Sequence, residues 1–122
     1  MYKDNTLAIG SWNILNDIQQ LDEIDTLSKD RPVVLFKHST TCGISSGAKY
    51  RLETDWDSFP EDAVFYYLDL LSYRPISNEI AERYQVTHQS PQVIIIKDGK
   101  AVFNNSHHAI NISDLADKIM GL

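Results

Sequence analysis

Apolar and polar residues alternate along this chain with two different periods. From Trp12 to Lys29, the residues Ile14, Ile18, Leu21, Ile24 and Leu27 fall at three- and four-residue steps, which predicts a helix with one buried face. Arg31 and Pro32 interrupt it. The unbroken apolar run VVLF at 33–36 then predicts a strand covered on both sides, as central parallel strands are. From Cys42 onward Ile44, Ala48, Leu52 and Trp56 recur every four residues, with Phe59 one shorter step beyond, so the stretch HSTTCGISSGA at 38–48 opens an amphipathic helix. After Pro60, AVFYYLDLL is rich in aromatic and β-branched residues and predicts a second strand. Ile76, Ile80 and Tyr84 share a helical face behind Pro75, whose missing N–H costs little in a first turn. In QVIIIKDGKAVFN two strand-like runs flank Asp98-Gly99, a strong hairpin signal. Ser113 is the expected cap of a last helix carrying Ile112, Leu115, Ile119 and Met120. The order αβαβαββα implies an α/β protein with a central mixed four-stranded sheet, helices on both faces and an extra N-terminal helix.

Length and charge narrow the function classes. A chain of 122 residues without repeats or linkers is expected to form one domain over 1–122. With 11 basic against 17 acidic residues and a net charge of −6, it gives no global support for nucleic-acid binding through phosphates. No stretch approaches the roughly 20 apolar residues of a membrane span, and MYKDNTLAIGSWN lacks a basic segment followed by a long apolar run. The expectation is a soluble, unexported, cytoplasmic protein with no membrane partner. A single cysteine, Cys42, excludes an internal disulfide, so any covalent chemistry it performs involves another molecule.

That cysteine is placed for reactivity. At a helix N-terminus, unpaired N–H groups and the positive end of the helix dipole favour the thiolate. Thr41, Gly43 and Ser45 are the candidate thiolate-supporting residues, although Ser45 could equally serve the first helical turn itself. A thiol lowered from about 8.5 to about 6 gains roughly tenfold in thiolate at pH near 7.5 and loses about as much in nucleophilicity. The benefit lies in the second exchange, because a low-pKa thiol leaves faster. Ser45 stands where a dithiol oxidoreductase carries its second cysteine, and a hydroxyl cannot resolve a mixed disulfide. No pair among Cys42, His38 and the other histidines has the spacing of a structural zinc site, so no metal is expected.

Taken together, these residues resemble the thioredoxin fold, in which a cysteine follows the first strand of the core and a proline precedes the strand leading into a hairpin. KHSTTCGIS at 37–45, SPQ at 90–92 and FNNSHHAI at 103–110 resemble, more narrowly, the YtxJ-like monothiol bacilliredoxins over nearly the whole chain. The resemblance implies a thioredoxin-like, βαβαββα core and a monothiol thiol–disulfide oxidoreductase that removes bacillithiol from mixed disulfides on oxidised proteins. It implies Cys42 as catalytic nucleophile, bacillithiol as co-substrate with no tightly bound cofactor, and S-bacillithiolated proteins and a low-molecular-weight thiol as partners. It also implies a cis bond at Ser90-Pro91, with Ser90 offering its backbone to an extended substrate. Because bacillithiol carries two carboxylates, Lys37, Arg51, His107 and His108 are candidate cationic contacts. Gly43 departs from a family pattern that often has proline there, and brings the motif near the Cys-Gly-Phe-Ser signature of cluster-binding monothiol glutaredoxins. An iron–sulfur carrier is the alternative, although the Gly-Gly-Asp-like turn of those proteins is replaced by SHHAINISD. A non-catalytic module and a redox sensor modified at Cys42 are further alternatives.

Overall fold

The computed structural model describes residues 12–39, 41, 43–54, 59–60 and 62–122, and of His108 the backbone alone. Cys42 lies outside the described residues, as does Trp56. In chain order the elements are β1 (Trp12–Ile14), α1 (Gln20–Leu27), β2 (Val33–His38), α2 (Gly43–Thr54), β3 (Val64–Asp69), α3 (Arg74–Arg83), β4 (Gln92–Lys97), β5 (Lys100–Ser106), a 3-10 turn (His107–Ala109) and α4 (Ile112–Met120).

The sheet has the spatial order β1-β3-β2-β4-β5. β1 and β2 both run parallel to β3, while β4 is antiparallel to β2 and to β5. All residues of β2 are buried, as are five of the six in β4, because both strands have neighbours on either edge and helices on either face. The two-residue period of a strand sorts these side chains into two cores. Leu35, Ile94 and Ile96 point to one side, where Leu21 and Ile24 of α1 and Ile76 and Ile80 of α3 cover them. Val34, Phe36, Val93 and Ile95 point to the other, against Ala48 and Leu52 of α2 and Leu115 and Ile119 of α4. The β4–β5 hairpin turns at Asp98 (φ 54) and Gly99 (φ 72), a pair of left-handed residues that matches the expected Asp-Gly turn. Ser28 anchors it, its carbonyl accepting from the Asp98 N–H and its hydroxyl from the Gly99 N–H, both at 2.8 Å.

Four local expectations need correction. The segment expected to be one helix from Trp12 to Lys29 is a short strand followed by a helix that starts at Gln20, so the sheet has five strands rather than four. Trp12, 6 % exposed, stacks on Phe36 at 5.7 Å and donates its indole N–H to Glu53 at 2.7 Å, which ties β1 to α2. The buried face of α2 is Ser45, Ala48 and Leu52, whereas Ile44 is 40 % exposed. In α4 the cap is Asn111 rather than Ser113, its side-chain oxygen accepting from the Asp114 N–H at 3.1 Å. Met120, expected on the buried face, is 72 % exposed.

Candidate active site

β2 ends at His38, and the chain reaches Cys42 four residues later, immediately before the first residue of α2. β4 begins at Gln92, which pairs with Lys37 in register. The chain entering β4 through Ser90-Pro91 and the chain leaving β2 toward the cysteine therefore meet at the same end of the sheet. The Ser90-Pro91 bond is cis, as the resemblance implied. The backbone N–H of His107, which has φ 55, donates to the Pro91 carbonyl at 2.9 Å. Ser90, Pro91 and His107 are thus neighbours, and the Ser90 hydroxyl is buried without a hydrogen-bond partner among the described residues.

The junction between β2 and α2 is fastened through Ser45. Its hydroxyl is fully enclosed, accepts from the Ser39 N–H at 3.0 Å and lies 2.7 Å from His38 Nδ1. The hydroxyl has one proton. With His38 in its Nε2–H tautomer that proton goes to Nδ1, and none is left for a thiol; with Nδ1–H it is free to donate elsewhere. His38 is itself buried, tilted against Phe36 and Tyr67 at 5.6 and 5.4 Å. Burial and the Lys49 cation push its pKa down, against the opposing pull of Asp69, the Ser45 hydrogen bond and Glu53, so the ring is neutral at neutral pH. The hydroxyl of buried Ser39 lies 3.2 Å from that of exposed Thr41 at the same junction. A Cβ added at Gly43 would meet nothing within 4 Å, so the site does not require glycine for space.

The other candidates divide. Lys37, a candidate cationic contact, is fully buried, and its Nζ lies 3.3 Å from Nδ1 of His88. Burial lowers its pKa from 10.5 to about 8. Arg51 sits on α2 with a guanidinium N–H donating to the Ile110 carbonyl at 3.4 Å. His107 is exposed, and the side chain of His108 lies outside the described residues. Three contributors were missed from the sequence. His38 enters the sequence reading only among possible metal ligands, and so does His88 with the other histidines, although His88 falls three residues before Pro91; that spacing is the available signal. Gln92 was also missed: its side-chain amide donates to the Thr87 carbonyl at 3.0 Å and its oxygen accepts from the Gln89 N–H at 3.4 Å, holding the loop on both sides of His88. Among the described residues no three His, Cys, Asp or Glu side chains are grouped to hold a metal ion. No helix among them is long and apolar enough to cross a membrane.

Comparison with known proteins agrees with this geometry. Residues 13–115 match the family described as monothiol bacilliredoxin BrxC. A solved structure of a thioredoxin-fold protein proposed to be an oxidoreductase is similar at 33 % identity and TM-score 0.74, over 85 % of this chain and 89 % of that one. Thioredoxin from Fasciola hepatica is similar at 25 % identity and TM-score 0.66, over 89 % and 97 %. Spinach chloroplast thioredoxin f, at 19 % identity and TM-score 0.71 over 93 % and 87 %, shares the fold.

Proposed function

Since the chain belongs to the monothiol bacilliredoxin family, we propose that it removes bacillithiol from mixed disulfides on oxidised proteins, with Cys42 as its sole nucleophile. Family membership and a thioredoxin-fold neighbour proposed to be an oxidoreductase support thiol redox function. The observation that carries the finer reading is the residue three places after the cysteine. Ser45 is a hydroxyl already held by the Ser39 N–H and by His38, in the position where a resolving thiol would stand.

In the first step the Cys42 thiolate attacks the bacillithiol sulfur of the mixed disulfide. A bond forms between Cys42 and bacillithiol as the protein–bacillithiol bond breaks, and the protein thiolate leaves and takes a proton from solvent. In the second step the thiolate of another bacillithiol attacks the bacillithiol sulfur on Cys42, and Cys42 leaves as thiolate. The target protein is reduced, and two bacillithiols end as their disulfide. The first backbone N–H groups of α2, at Gly43 and beyond, would favour the thiolate both as nucleophile and as leaving group. Thr41, next to the cysteine on the exposed side, would add a hydroxyl donor. Ser90, ahead of the cis proline, would pair its backbone with the substrate strand, while His107 holds the Pro91 carbonyl from behind. Bacillithiol is the co-substrate, and S-bacillithiolated proteins are the partners.

The deciding experiment incubates a protein carrying a bacillithiol mixed disulfide with the wild type or with Cys42→Ala in the presence of free bacillithiol, and follows release by intact mass. Release by the wild type and none above background with Cys42→Ala is the expected result. Failure of the wild type to release bacillithiol refutes the proposal.

A further inference from the structure

A buried cation beneath the cis-proline loop has no anion beside it among the described residues. Lys37 is fully enclosed, and among the described residues no carboxylate lies within 4 Å of its Nζ. Its partner is Nδ1 of His88, and the Ser77 hydroxyl of α3 lies 3.4 Å from the same nitrogen. An ammonium can only donate, so Nδ1 is the acceptor and the single ring proton of a neutral His88 sits on Nε2. Burial and the nearby cations Lys37 and Arg74 lower the His88 pKa, which keeps the ring neutral at neutral pH. The ring is part of an exposed residue, in a loop that Gln92 clamps from β4 through Thr87 and Gln89. Among the described residues the groups facing it are Lys37 from β2 and Ser77 and Arg74 from α3, with no acid contributing. In a chain of net charge −6 this is a locally cationic spot carrying an N–H donor of fixed position.

We propose that His88, locked as an Nε2–H donor by buried Lys37, recognises a carboxylate of the small thiol as it is presented at the cis-proline loop. This rests on the thiol-exchange reading and adds the residue that selects an acidic thiol over a neutral one. Lys37 is a positioning residue that acts through His88. A hydrogen bond to a charged acceptor corresponds to about tenfold or more in affinity.

The test uses one model protein carrying a mixed disulfide with mercaptosuccinate, which has two carboxylates, or with 2-mercaptoethanol, which has none. The wild type is expected to favour the mercaptosuccinate adduct in kcat/KM by about tenfold, with the difference in KM. His88→Phe and Lys37→Met should each bring the ratio close to one, and His88→Gln, which keeps an N–H donor, should recover part of it. Circular dichroism of each variant confirms folding, and nitrogen-15 spectra of the wild-type imidazoles report the His88 tautomer directly. A wild-type ratio retained in His88→Phe, or a His88 ring protonated on Nδ1, overturns the inference. Equal turnover of both adducts by the wild type overturns it while leaving the exchange reaction standing, whereas release of neither thiol refutes the exchange reaction itself.

Discussion

Replacing Lys37 by methionine should stabilise this protein at neutral pH and remove a pH dependence that the wild type shows. The side chain is fully buried with a histidine nitrogen in place of a carboxylate. Its pKa falls from 10.5 in the unfolded chain to about 8 in the fold. At ~1.4 kcal/mol per tenfold, keeping the ammonium inside costs about 3 kcal/mol at pH 7. Between about pH 8 and 10.5 the unfolded chain holds a proton that the folded protein has released, so stability rises with pH across that window. Below about pH 8 both states are charged and the cost is present in full. By pH 9.5 the wild type should recover about 2 kcal/mol of it. Methionine fills a similar volume without the charge. Losing the bond to His88 and repacking one side chain offset about 1 to 2 kcal/mol, leaving Lys37→Met about 1 to 2 kcal/mol more stable at pH 7. Urea unfolding of both proteins at pH 7 and 9.5, each in a Cys42→Ala background, measures this. With a slope of ~2 kcal/mol per M, the wild-type midpoint should rise by about 1 M relative to the variant between the two pH values. Burial, with Asp69 and Glu53, pushes Tyr67 up to about 12, and Tyr84 is raised as well; those titrations act above pH 9.5 and are common to both proteins. Parallel pH profiles for the two proteins would refute the reasoning, because they would mean that Lys37 enters the fold without cost.

Two smaller changes test the junction before α2. Ser45→Ala removes the acceptor of the buried Ser39 N–H and the partner of His38 Nδ1, and should cost about 1 to 3 kcal/mol by urea unfolding; an unchanged midpoint would mean that water replaces the hydroxyl. Gly43→Ala adds a methyl group where nothing lies within 4 Å and should stabilise the protein by about 0.4 to 1 kcal/mol, seen as a rise of a few degrees in Tm; a fall would show that the first turn of α2 needs the freedom of glycine.

Much of the fold was legible because local signals agreed with the final packing. The VVLF run became a strand covered on both faces, Asp98-Gly99 became a left-handed turn, and Pro75 fell in the first turn of α3. The cis bond at Ser90-Pro91 was legible only through resemblance, since residue preferences alone favour trans. Where the reading failed, a distant partner decided the outcome. Ile14 and Ile18 continue the helical period of α1 yet are 43 % and 44 % exposed: Trp12, Asn13 and Ile14 pair instead with Phe65, Tyr66 and Tyr67 across the sheet, and Ile18 falls before the helix, which starts at Gln20. In α2 the small polar Ser45 takes the buried position that Ile44 was expected to fill, because two groups at the end of β2 bind its hydroxyl there.

The sequence by itself determined the inventory behind the proposed chemistry: one cysteine, a serine three places on, and a position immediately before the residue that opens α2. Tertiary structure alone decided what surrounds the other polar groups. Lys37 is the plainest case, since a lysine after an apolar run reads as the exposed end of a strand. β2 continues to His38 because Leu68 and Asp69 of β3 extend the pairing on one side and Gln92 of β4 on the other. That continuation carries the ammonium under the cis-proline loop and against His88. Periodicity reports which face of an element is apolar, whereas hydrogen bonds between strands far apart in the chain fix where an element ends and which charges it takes inside.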